Sequence, residues 1–184
     1  NSLQHKIMAN LFFEPSTRTS VSFQSAMIRL GGKIVTLNPS TSSIKKKESL
    51  EDTIKVMEQF VDIIVMRHPQ SNIMDTINVD KNKVLINAGD GDNEHPTQAL
   101  LDLLTIYYCN TNDKYEFLFD NLSITIVGDL KHGRTVHSLI TLLSLYKNIT
   151  FNLISPKELR LSEERKQDIL KSTFFKTLVP ICFV

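Results

Sequence analysis

Tryptophan is absent from this 184-residue chain and cysteine occurs only twice. No apolar run approaches the ~18–20 residues that a membrane-spanning helix needs. The missing tryptophan decides nothing by itself. Cys109 and Cys182 stand too far apart for a metal or redox spacing, so both read as reduced, buried thiols. An excess of one charge is also missing, because 21 Lys and Arg against 20 Asp and Glu leave a net +1. That excludes bulk attraction to nucleic acid or to a membrane surface, so any anion must be held by individually placed residues. No signal-peptide pattern opens the sequence, and an intracellular, cytoplasmic protein is expected. No G-x-G-x-x-G follows a strand-like run, which excludes the dinucleotide-binding fingerprint. No metal-ligand spacing is found, and neither a metal nor a cofactor is expected.

What is present is ordinary globular composition, 41% hydrophobic and 22% charged. Strand-length apolar runs alternate with helix-period segments. Ile7–Phe13 reads as a strand and Thr17–Leu30 as a helix with Val21, Phe23, Ala26, Met27 and Leu30 on one face. Gly31-Gly32 closes that helix as a left-handed cap. Strands follow at Lys33–Leu37, Asp62–Arg67 and Lys83–Asn87, with helices at Glu48–Phe60, near Gln70–Ile77, and from Pro96 to about Tyr108. After the polar break Asn110–Lys114 the rhythm restarts, with strands Leu122–Val127, Ile149–Ile154 and Thr177–Val184 and helices Thr135–Lys147 and Pro156–Lys171. This alternation predicts an α/β protein of two parallel-sheet, Rossmann-like domains with flanking helices, divided into residues 1–109 and 110–184. The second has three strands at most and ends inside an apolar run, so it is expected to be incomplete and the sequence to be a piece of a longer chain.

In parallel α/β sheets, ligands sit beyond the carboxyl ends of the strands. Each polar cluster in this sequence falls at such an end. Ser16-Thr17-Arg18-Thr19 packs hydroxyls and a guanidinium into the start of a helix, where unpaired N–H groups and the helix dipole favour an anion. Ser42–Lys47, Arg67–Gln70, Gly89–Gln98 and the Lys131, His132 and Arg134 group follow the later strands. Plainer readings exist for each. Ser16 or Thr17 can be a helix cap, Lys45–Lys47 a solvated stretch, Arg67 a surface ion-pair partner, and His95 a cap before Pro96. His132 and His137 read as a surface residue and a helix-face residue without a role.

Taken together, Ser16–Thr19, Arg67-His68-Pro69-Gln70, His95-Pro96-Thr97-Gln98 and Gly128–Ser138 resemble aspartate carbamoyltransferase catalytic chains, from about Ile7 to Leu153. Ser-Thr-Arg-Thr and His-Pro-Thr-Gln are shared with ornithine carbamoyltransferases. Val65–Pro69, Gly128–Ser138 and the Ser43…Lys46…Glu48-Ser49-Leu50 loop are similar to the aspartate enzymes. The resemblance implies transfer of the carbamoyl group of carbamoyl phosphate to the amine of L-aspartate, giving N-carbamoyl-L-aspartate and phosphate in pyrimidine synthesis. It implies a carbamoyl-phosphate-binding first domain and a partial aspartate-binding second one. Ser16, Thr17, Arg18 and Thr19 then hold the phosphate. Thr19, Arg67 and His95 contact the carbonyl oxygen as the catalytic set, Arg67 reaches the phosphate as well, and Gln98 contacts the carbamoyl amide. Arg134 binds an aspartate carboxylate, and Glu14 pairs with Arg134 to help closure. Ser43 and Lys46 reach the active site of a neighbouring subunit in a homotrimer, with Lys46 also facing aspartate. Here the chain has Lys47 where the family motif has glycine, which leaves Lys46 and Lys47 as alternatives.

Two rival readings stay beside this one. Another carbamoyltransferase, such as one using ornithine, shares the first domain's chemistry. Arg134 and the lysine loop suit a dicarboxylate better than a cation. The other rival is an inactive fragment that still binds phosphate.

Overall fold

The computed structural model describes residues 2–38, 48–110, 119–170 and 177–182, the backbone alone for 170 and for 177–182. It is an α/β structure that divides into two compact units, residues 1–91 and 92–184.

The first unit is built on a parallel sheet in the order β2-β1-β3-β4. Its strands are β1 (Ile7–Phe12), β2 (Lys33–Leu37), β3 (Ile63–His68) and β4 (Val84–Asp90). Successive side chains point to opposite faces. Ala9 and Leu11 of β1, with Ile64 and Met66 of β3, pack on one face against Ile54 and Met57 of α2 (Leu50–Glu58). Met8, Val65 and Ala88 pack on the other against Met27 of α1 (Thr17–Arg29). A sheet covered on both faces explains why β3 reads as a continuous apolar run rather than an alternating one. Helix α1 stops as expected: Gly31 takes φ 87°, and Gly32 N–H donates to the Met27 carbonyl at 3.0 Å. Helix α2 starts at a Ser49 cap whose Oγ accepts the Asp52 N–H at 3.0 Å.

The second unit carries the parallel strands β5 (Ser123–Val127), β6 (Thr150–Ser155) and β7 (Thr177–Cys182) in sequence order. Its helices are α3 (Pro96–Asn110), α4 (Arg134–Leu143) and α5 (Glu163–Leu170). The core gathers Leu130, Ile140, Leu143, Phe151 and Leu153, with Leu103 and Ile106 of α3 packed onto it. That packing is why the compact division falls at Gly91, whereas the sequence break expected after Cys109 coincides with the end of α3. Two expectations are corrected here. The single helix expected over Pro156–Lys171 is a 3-10 turn at Lys157–Leu159 followed by α5, because Arg160 is extended (ψ 150°) and Leu161 is buried. Cys109, expected to be buried, is exposed beside Tyr108 in the last turn of α3. No helix among the described residues is long and apolar enough to cross a membrane.

Candidate functional site

The first unit assembles one group of candidate residues at the carboxyl ends of β1 and β3. Phe12 and Arg67 are register partners, and Phe13 N–H continues the pairing by donating to the Arg67 carbonyl at 2.9 Å. Pro15 then turns the chain into α1, with Ser16 at the N-cap. Ser16 makes no side-chain cap and the first turn holds no acidic residue. The helix N-terminus is thus neither capped by its own serine nor neutralised by a carboxylate, which keeps it attractive to an anion. Thr17 and Arg18 are exposed, Ser16 and Thr19 half-buried, and no ion pair engages Arg18 among the described residues. This arrangement argues against the plain-cap reading of Ser16.

One buried residue fixes where α1 begins. Asn10 of β1 faces the α1 side, and its Nδ2 donates to Ser20 Oγ at 2.9 Å. Ser20 Oγ also accepts from Gln24 Nε2 at 3.0 Å. Asn10 Oδ1 is buried with no hydrogen-bond partner among the described residues. The bonded half of that amide ties the strand to the first turn of the helix, so the hydroxyl-rich turn inherits the rigidity of the sheet.

Arg67 is not a solvated ion-pair residue, because its side chain is 11% exposed. Its Nε donates to Glu14 Oε1 at 2.5 Å, and its Nη1 lies 3.5 Å from the Ala88 carbonyl. Glu14 thereby holds one edge of the guanidinium, while Nη2 makes no hydrogen bond among the described residues. A planar fork held by one edge presents the other to a ligand oxygen. Beside it, burial pushes the His68 pKa below its ordinary 6.5, with the Glu14 charge opposing. Gln70 N–H donates to His68 Nδ1 at 3.0 Å, which puts the proton of the neutral ring on Nε2.

The second unit carries another group. His95 is the backbone cap of α3, its carbonyl accepting from Gln98 N–H at 3.0 Å and Ala99 N–H at 3.3 Å. The ring belongs to a buried residue. Gln98 sits one turn in and donates from Nε2 to Asp102 Oδ1 at 3.1 Å. Arg134 opens α4, following a turn organised by Asp129. Asp129 Oδ1 accepts from Lys131 N–H at 3.0 Å and His132 N–H at 2.9 Å. The His132 N–H chiefly holds the Asp129 carboxyl below the usual 3.8. Gly133 is needed in that turn, since a Cβ there meets the Asp129 carbonyl oxygen at 2.5 Å. Candidates Ser43 and Lys46 lie outside the described residues.

Two residues that sequence reasoning left without a role hold this second group. Ser138 Oγ accepts the His95 N–H at 2.8 Å and donates to Glu94 Oε2. His137, read as a helix-face residue, is buried between two backbone carbonyls. Its Nδ1 lies 3.3 Å from Asn93 O and its Nε2 3.0 Å from Leu130 O. The available signal was position alone, as both follow Arg134 by about one helical turn on the buried face of α4.

Comparison with known proteins adds to this geometry. Residues 1–108 match the family model for "Aspartate/ornithine carbamoyltransferase, carbamoyl-P binding domain". The aspartate carbamoyltransferase catalytic subunit of Clostridium botulinum is 51% identical over 170 residues, 90% of this chain and 52% of the relative. That of Methanocaldococcus jannaschii is 48% identical over 168 residues, 91% of this chain and 53% of the relative. A crystal structure of aspartate transcarbamoylase from Trypanosoma cruzi in complex with carbamoyl aspartate and phosphate superposes with TM-score 0.87 at 40% identity. That superposition covers 100% of this chain and 57% of the other. The chain thus spans about half the length of the curated relatives it matches.

Proposed function

Because the chain belongs to the aspartate/ornithine carbamoyltransferase family, we propose that the protein containing it transfers the carbamoyl group of carbamoyl phosphate to the amine of L-aspartate. The observation that carries this reading is the Ser16–Thr19 turn at an uncapped helix N-terminus, with Arg67 held by Glu14 on the neighbouring strand. A small dianion needs fixed N–H, hydroxyl and guanidinium donors, and these residues provide all of them.

Ser16, Thr17, Arg18 and Thr19 bind the phosphate. The aspartate amine attacks the carbamoyl carbon, a C–N bond forms, and the carbonyl oxygen gains negative charge. Thr19, Arg67 and His95 donate to that oxygen, and Gln98 holds the carbamoyl amide. Donors aimed at charge that develops only in the transition state accelerate the step. The C–O bond to phosphate then breaks, phosphate leaves, and the amine proton is lost to phosphate or solvent. Arg134 takes an aspartate carboxylate. No residue here forms a covalent intermediate. His95 acts as a donor, consistent with its burial.

The same reading extends to assembly. The catalytic unit is a cytoplasmic homotrimer in which Ser43 and Lys46 of one subunit complete the site of the next, and its product enters pyrimidine synthesis. Residues 1–109 form the carbamoyl-phosphate domain and the remainder contributes to aspartate binding. The test is product formation by the full-length protein with carbamoyl phosphate and either L-aspartate or L-ornithine. Carbamoyl aspartate with no citrulline supports the proposal. Citrulline, or phosphate binding without either product, overturns it.

A further inference from the structure

The three residues Asn93, Glu94 and His95 form a polar turn whose every member is gripped by α4 or α5. Arg165 of α5 supplies the largest share. Its Nη2 donates to the Asn93 carbonyl at 3.3 Å and to Asn93 Oδ1 at 3.0 Å, and its Nη1 donates to Glu94 Oε1 at 3.1 Å. Glu94 Oε2 accepts from Ser138 Oγ, and Ser138 Oγ accepts the His95 N–H at 2.8 Å. A continuous path of hydrogen bonds thus runs from the Arg165 guanidinium to the backbone of His95. The arginine and glutamate side chains are 29% and 27% exposed, so the pair is partly shielded from water, where charge-assisted bonds hold geometry better than at an open surface. Pro96 restricts the turn from the other side by its fixed φ and by the extended backbone it favours at His95.

We infer that Arg165 is a positioning residue for His95: it sets the Asn93–His95 turn, and through Glu94 and Ser138 it sets the backbone from which the His95 ring projects. The inference rests on the proposed role of His95 toward the carbamoyl oxygen. The fork geometry matters as much as the charge. A guanidinium makes its three bonds to two residues from one plane, whereas an ammonium at the same place satisfies Glu94 or Asn93 but not both in this geometry. Arg165 also lines an open cavity of about 270 Å³ with His137, Thr141 and Asp168, so truncating it enlarges existing space rather than emptying a sealed core.

The experiment uses the full-length protein with two independent readouts, steady-state kinetics and amide hydrogen exchange over residues 93–98. In Arg165→Ala, exchange over 93–98 rises roughly tenfold while exchange over α2 is unchanged, and kcat falls roughly tenfold with the KM for carbamoyl phosphate within threefold. Arg165→Lys restores part of both, and Lys166→Ala, a change on the same helix, moves neither. Unchanged exchange over 93–98 in Arg165→Ala overturns the inference. So does raised exchange with unchanged kcat, because the turn is then irrelevant to His95 chemistry. If Arg165→Ala does not fold, the same criteria apply to Arg165→Lys, with changes of about threefold expected. A wild-type protein without carbamoyltransferase activity defeats the functional proposal instead, and the exchange comparison still decides whether Arg165 fixes the turn.

Discussion

Glu14 and Arg67 meet through a 2.5 Å hydrogen bond between Oε1 and Nε, with side chains only 24% and 11% exposed. The arginine is fixed by β3 and the glutamate by the turn that follows β1, so the contact locks together the ends of two neighbouring parallel strands. A cation in that position is held by protein on one edge and can serve a ligand with the other.

Replacing Arg67 with alanine removes a charged donor proposed to be used most strongly in the transition state. The expected loss is about 2–3 kcal/mol, roughly a 30- to 150-fold fall in kcat/KM. A change smaller than threefold in the full-length protein contradicts the assigned role.

The proposed sharing of active sites between subunits predicts complementation. Lys46→Ala and Arg67→Ala chains, each strongly impaired alone, regain activity above either parent when mixed and reassembled, because some hybrid trimers contain an intact site. Subunit exchange is verified by mass. Exchange without recovered activity argues against a site completed by a neighbouring subunit.

Gly133→Ala drives a methyl group onto the Asp129 carbonyl oxygen at 2.5 Å, a backbone atom with little freedom to retreat. The expected cost is roughly 1–3 kcal/mol of stability, measured by denaturant unfolding. Since Arg134, the proposed aspartate ligand, follows directly, the KM for aspartate rises more than that for carbamoyl phosphate. An unchanged unfolding midpoint removes the steric argument.

His68 makes stability depend on pH in a defined direction. Its folded pKa is lowered from 6.5, chiefly by burial, and protonating Nδ1 breaks the bond from Gln70 N–H. Below 6.5 the unfolded chain takes up a proton that the fold resists. The contribution is therefore present above that value and lost as pH falls through the window down to the folded pKa. Melting temperatures between about pH 7.5 and 5.5 fall less steeply in His68→Asn than in wild type. Equal slopes, or a His68 ring that titrates above 6.5 by NMR, exclude the effect.

Local signals carried much of the architecture. The Gly31-Gly32 stop, the Ser16–Thr19 turn and the His95-Pro96 start of α3 depend on residues close in sequence, and each stands where the pattern put it. The failures are tertiary. Nothing local separates the 3-10 turn at Lys157–Leu159 from α5, since the break follows from burying Leu161. Cys109 belongs to a residue type usually buried, but its helix packs on the core through Leu103 and Ile106 instead. Nothing local in the sequence marks Arg165, because its partners Asn93 and Glu94 are remote in sequence.

The strand order also bears on how the chain reaches this state during synthesis. Ala9 pairs with Val35 on one side and with Ile64 on the other. A nascent chain that has just completed β2 can zip it onto β1 while the opposite edge of β1, a row of unpaired N–H and C=O groups, still waits for a strand not yet made. Until β3 emerges, that edge is open to pairing with other chains. The vulnerable interval in the life of this protein lies between the emergence of residue 37 and that of residue 68, when one edge of an interior strand stands unpaired.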